Sequence, residues 1–258
     1  MKMTASVAGV AAVLMMAGGL LGAPDGRPVP GNGIIDMPGN YVLQDSRESS
    51  SASRPAIQIT ASDVTLDLNG NSLRGLGGKV GVGIQISRAR GVRVTNGSLW
   101  NLAFGVIVSN SSNIVLRDLR IRGEGLPIVS LPPETAIMIV QSRNVVVENN
   151  AISNTGLGIF VRGGMSGGNR IANNTISAGT NGALGICYNP ADGDSNGPVG
   201  DLVDGNAVSG FGIGIQASAT SMYNVFKGNS IFFRGSTAVE LHNATNMDMD
   251  NTKVDLAQ

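Results

Sequence analysis

Few side chains in this chain can do chemistry alone. It has one cysteine, Cys187, and one histidine, His242. No internal disulfide can form, so stability must come from packing. Aromatic residues make up only 4% of the 258, and Trp100 is the one tryptophan. Few bulky ring layers are expected in the core, and few rings remain on which a sugar face could stack. Charged residues are 14%, with 18 basic and 18 acidic side chains that cancel. No whole-molecule field draws in a polynucleotide or an anionic membrane, and no nucleic-acid partner is expected.

Glycine is abundant, at 37 residues, and 42% of the chain is hydrophobic. The composition is turn-rich but able to build a core. Lys2 precedes an apolar stretch from Ala5 to Leu21, closed by the small residues Gly22 and Ala23. That pattern reads as a secretory signal peptide over 1–23, cleaved near Gly19 or Ala23, with an uncleaved anchor as the alternative. No lipobox cysteine follows it. The mature protein is expected to be periplasmic or extracellular, without a stable membrane span. An N-terminal segment and cap over 24–55 and a repeat domain over 56–258 complete the expected organisation.

Repetition organises the remainder. "VVVENNAISNTGLGIFVRGG" (145–164), "NRIANNTISAGTNGALGICYN" (169–189) and "DLVDGNAVSGFGIGIQAS" (201–218) share one plan: an alternating strand, a turn ending in Asn, a short apolar piece, a glycine break and a Gly-Ile strand. Weaker copies occupy 92–109 and 224–242. The turn asparagines Asn150, Asn174, Asn206 and Asn229 are 24, 32 and 23 residues apart. Strands this short, with a period of two, select a β-solenoid over a helical repeat. Asparagines at one turn position of successive coils can stack as an amide ladder, which gives them a structural role.

"IIDMPGNYVLQDS" (34–46) and "AIQITASDVTLDLNGNSLRG" (56–75), followed by the Asn-turn coils, resemble the right-handed parallel β-helix proteins of the pectin-lyase-like superfamily. The resemblance covers residues 34–254 and implies an all-β fold of about eight coils. It also implies a substrate groove along the outer face of the stacked first strands. It does not select a chemistry, because these coils serve lyases, hydrolases, epimerases and scaffolds alike.

In this register Ile84, Ile86, Val106, Val108, Ile137, Ile139, Ile159, Val161, Ile186 and Tyr188 point inward. The outward column runs Gln58 and Thr60, Gln85 and Ser87, Ile107 and Ser109, Met138 and Val140, Phe160 and Arg162, Cys187 and Asn189, Gln216 and Ser218, Glu240 and His242. Insertions at 123–134 and after Cys187 would wall its centre. The run Ile107, Met138, Val140 and Phe160 is either a ligand surface or core covered by the first insertion. Phe160, Arg162, Asn189 and Gln216 are the candidate ligand-binding residues for an extended polysaccharide.

No carboxylate pair of the kind that hydrolyses glycosides falls in the central column. The characteristic motifs of pectate lyases, polygalacturonases and mannuronan epimerases are absent. Arg162 is the one catalytic candidate, for a lyase or epimerase acting on a uronate. A scaffold meeting another protein through Phe160 is the third reading. Arg93, Arg117, Glu148, Arg170, Asp204 and Lys227 are expected as one mixed-sign ladder on the second strands. "ADGDSNGPVGD" (191–201) opens like a calcium loop, with Asp192, Asp194 and Asn196 at alternate positions. Its twelfth position is Val203 rather than glutamate. Asp201 or Asp204 would have to complete a weak calcium site, and an ordinary exposed turn is the competing explanation.

Overall fold

The computed structural model describes residues 26–49, 54–76, 81–124, 134–179, 182–191, 195–233 and 237–255. Every regular element among them is a β-strand. Strands of alternating apolar and polar residues pair only in parallel, winding a right-handed solenoid of about eight turns. The first strand of each turn belongs to a nine-stranded sheet: Ile57–Ile59, Val82–Ser87, Phe104–Ser109, Thr135–Val140, Leu157–Arg162, Leu184–Asn189, Ile213–Ala217 and Thr237–Leu241, preceded by Ile34–Ile35. The second and third strands form a seventeen-stranded sheet. Residues expected as a cap supply strands too, because Gly39–Val42 and Arg47–Ser49 pair with Val64–Asp67 and Ser72–Gly75.

All ten side chains expected to point inward are fully buried in one continuous core. The glycine of each Gly-Ile strand has a steric cause. A Cβ on Gly158 would run into the Gly185 carbonyl, and one on Gly185 into the Gly214 carbonyl.

The solenoid turns its corners on single residues of positive φ, which Gly, Asn and Asp tolerate best. Between second and third strands these are Gly70, Asn96, Asp118, Asn149, Asn173, Gly205, Gly228 and Asp250. The residue after each faces the interior. In the later turns it is Asn150, Asn174, Asn206, Asn229 and Asn251, and each of the first four donates both its backbone N–H and its Nδ2 to the next Oδ1. Gly97 and Leu119 hold this position in the two turns before Asn150, where the strands Arg90–Trp100 and Ser112–Arg122 run through the corner unbroken.

A second stack lies at the preceding corner. Asn169, Asp201, Asn224 and Asn246 occupy the column that earlier turns fill with Val92, Ile114 and Val145. Each sits five residues before a ladder asparagine.

Candidate functional site

The outer face of the nine-stranded sheet carries the expected column in the expected register. Gln58 pairs with Gln85, Gln85 with Ile107, and Ile107 with Met138. Phe160, Cys187, Gln216 and Glu240 continue it. Beside it run Ser87, Ser109, Val140, Arg162 and Asn189.

The face has two parts. Over the early turns Gln58, Thr60, Gln85, Ser87, Arg88, Ser109 and Asn110 line a cavity of about 520 Å³. The Ser87 and Ser109 hydroxyls are 3.2 Å apart. The sequence placed Gln58, Thr60, Gln85, Ser87 and Ser109 outward without marking them as a site, and did not mark Arg88 or Asn110. The signal was the repeated Ile-Gln-Ile-Thr/Ser of residues 57–60 and 84–87. Over the middle turns the half-buried Ile107, Met138, Val140 and Phe160 form an apolar strip. The Arg162 guanidinium lies over the Phe160 ring, 5.2 Å from its centroid. Of the insertion expected to cover this strip, 123–134, residues 125–133 lie outside the described residues.

Cys187 stands in the outward column but is only 1% exposed. Asn189 Nδ2 lies 3.5 Å from its sulfur and Gln216 Oε1 3.7 Å away. Burial pushes its thiol up to about 12, against the opposing pull of Arg162. Burial and this shift hold it as the thiol at neutral pH, a weak nucleophile. Gln216 donates to Glu240 at 2.7 Å, and Glu240 lies 3.4 Å from His242 Nε2. His242 is two turns from Cys187 and does not reach it.

The calcium expectation divides. Asp192 and Asp194 lie outside the described residues, and Asn196 is exposed. Asp201 faces the interior: it is 1% exposed, and its two carboxylate oxygens accept the Asn169 N–H at 2.8 Å and Nδ2 at 3.0 Å. It is a rung of the second stack, bonded to Asn169 on one side and donating its N–H to Asn224 Oδ1 on the other. Burial, the largest influence, raises its carboxyl to about 6, against the lowering effect of the Asn169 bonds. The Tyr188 hydroxyl lies nearby in the core without a well-formed hydrogen bond.

The mixed-sign ladder is corrected. Arg117 pairs with Thr95 and Glu148, whereas Arg93 pairs with Thr65 and Val115. The charges therefore split over two columns, bridged where Glu148 meets Arg170 at 3.3 Å and Arg117 at 3.9 Å. Among the described residues no three His, Cys, Asp or Glu side chains gather as a metal site, and no helix is long and apolar enough to cross a membrane.

Solved structures share this architecture at low sequence identity. A polygalacturonase from Erwinia carotovora ssp. carotovora superposes with a TM-score of 0.59 at 12% identity, over 86% of this chain and 84% of that one. DFA-IIIase from Arthrobacter chlorophenolicus A6 without its lid gives 0.61 at 12% identity, over 84% of this chain and 57% of that one. A double mutant of the periplasmic alginate epimerase AlgG gives 0.59 at 12% identity, over 84% and 56%. The chain spans little more than half the length of the latter two, and identity this low shows the fold alone. No curated protein sequence matches it. A family model does, described as "Periplasmic copper-binding protein (NosD)" and matching residues 57–252, and the chain belongs to that family.

Proposed function

We propose that this is an exported β-helix protein that binds an extended glycan along the outer face of its nine-stranded sheet. The observation that carries the reading is the alignment of two complementary surfaces on that one face. The amides and hydroxyls of Gln58, Gln85, Ser87 and Ser109 line an open trough. In the same register follows an apolar strip ending at Phe160 and Arg162, with Asn189 and Gln216 beyond. Sugar hydroxyls suit the first and sugar C–H faces the second. The similar polygalacturonase and alginate epimerase, by their names, act on glycans.

The described central turns place no carboxylate on this face, and Glu240 is engaged by Gln216. Binding is therefore favoured over hydrolysis. Copper, which the family description names, finds no gathered site among the described His, Cys, Asp and Glu side chains. The one thiol is buried and protonated, the one imidazole is two turns away, and no acidic cluster joins them.

Affinity electrophoresis through gels cast with single polysaccharides tests the reading. Retention by at least one glycan, lost in a Gln85→Ala/Arg162→Ala variant of unchanged melting temperature, is expected; unchanged retention would falsify it. An ultraviolet-absorbing unsaturated product, or an altered uronate epimer ratio, would assign a lyase or epimerase instead.

A further inference from the structure

We propose a second binding surface, for an anionic sugar, on the outer face of the third strands, centred on Trp100. The nine-stranded sheet plays no part in it. Arg74 pairs with Trp100, and Trp100 with Arg122, in one register column, so two guanidiniums flank the indole one turn above and one below. Neighbouring turns are about 4.8 Å apart. Arg120 stands in the adjacent column, paired with Ser98.

These four side chains are exposed, and Trp100 is 42% so. Leaving the one tryptophan in water forgoes the burial its ring offers. Neighbouring arginines commonly cover such a ring. Here they do not: among the described residues the one cation–π contact is Arg162 over Phe160. Nor does any hydrogen bond or ion pair to a described residue occupy the guanidiniums of Arg74, Arg120 or Arg122.

Depressions lie to either side of the Trp100 position along its strand, lined by its neighbours and not by the ring itself. On one side Asn96, Ser98, Asp118, Arg120 and Asn149 border a depression of about 420 Å³. On the other, Glu48, Arg74, Leu76 and Asn101 border one of about 250 Å³. Of the two carboxylates, Asp118 is paired with Arg117 at 2.8 Å, and Glu48 precedes Arg74 in its column.

The charge of the chain is also unevenly distributed. Residues 71–170 carry eleven basic and four acidic side chains, whereas 171–258 carry three and eight. The neutral total conceals a basic middle, and this face lies within it. An anion is therefore the complementary partner. A sugar bearing carboxylate or sulfate fits better than an acidic peptide: the ring offers a stacking plane, while the surrounding backbone is already paired within the sheet and cannot take on another strand.

Because Trp100 is the one tryptophan, its fluorescence reports this face alone. The full chain is titrated with hexagalacturonate, a heparin-derived hexasaccharide, maltohexaose and hexaglutamate. The expected result is a saturable emission change with an acidic sugar and none with maltohexaose. Affinity should fall about tenfold or more in Arg74→Gln/Arg122→Gln, fall with added salt, and persist in Phe160→Ala. An equal response to maltohexaose, an equal response to hexaglutamate, or no emission change with either acidic sugar would each overturn the proposal. Binding of hexagalacturonate that leaves emission unchanged but is lost in Phe160→Ala would support the groove while overturning this second face.

Discussion

The early and late turns of the solenoid solve the same corner in different ways. In the turns just before Asn150 the inward corner positions are Val92, Ile114 and Val145 in one column and Gly97 and Leu119 in the other, preceded by Asn71, which donates to the Leu43 carbonyl. After it they are Asn169, Asp201, Asn224 and Asn246, and Asn150 through Asn251. The apolar corners are held by dispersion and exclusion of water, which tolerate modest changes of shape. The amide corners also satisfy backbone carbonyls: Asn174, Asn206 and Asn229 donate to Val147, Ile171 and Val203. Every rung there depends on its neighbour. Fully satisfied polar stacks of this kind rigidify, and a single deletion strands several groups at once.

The largest effect is therefore expected from Asn206→Ala. It leaves the Ile171 carbonyl and the Asn174 N–H without this partner in the core, while Asn174 Nδ2 keeps only Val147 and Asn229 Oδ1 keeps only the Asn206 N–H. A loss of about 4 kcal/mol is expected in urea unfolding, since each stranded buried group costs about 1–3 kcal/mol; a loss below about 1 kcal/mol would mean that the ladder is ornamental.

Next in size is Asp201→Asn, which replaces an acceptor-only rung by one able to donate. A carboxyl raised to about 6 by burial, from its ordinary value of 3.8, binds more protons folded than unfolded between those values. The folded state therefore loses stability as pH rises from about 4 through 6, on the order of 2 kcal/mol. Melting curves at pH 4 and pH 7 should show that loss in the natural chain and its disappearance in the variant. The variant should also be the more stable of the two at pH 7.

Smallest should be Leu119→Asn, which carries the ladder one turn into the apolar half. Asn150 Oδ1, which already accepts the Leu119 N–H at 3.0 Å, is placed to accept the new amide. A change within about 1 kcal/mol is expected, because gained hydrogen bonds offset lost apolar burial. A loss comparable to that of Asn206→Ala would show that the two corner types are not interchangeable.

The solenoid and its groove column were legible in the sequence because an alternating period of two fixes which side of a sheet each residue takes. One anchor, the Gly-Ile strand, set the register for every turn. The ladder was legible because asparagine recurs at the turn. The second stack was not, although its members stand five residues ahead of ladder asparagines, because Asp201 lies beside an acidic loop that offered it another role. The split of the charge columns was missed for a related reason: Arg90–Trp100 and Ser112–Arg122 run through corners without a ladder asparagine to mark their phase. The Trp100 face joins residues 74, 100 and 122, and neither spacing nor motif marks it until the turns are stacked.

Among the described residues the strands Met247–Met249 and Thr252–Asp255 pair on one side only, and every residue in them is exposed. In a linear stack each turn is steadied by those it touches, so an inner turn must break two interfaces to open and an outermost turn only one. Such a molecule has no single weakest point but a direction of weakness. It loosens from its margin inward, like a coil of rope, and the rungs of its amide ladders set where the fraying pauses.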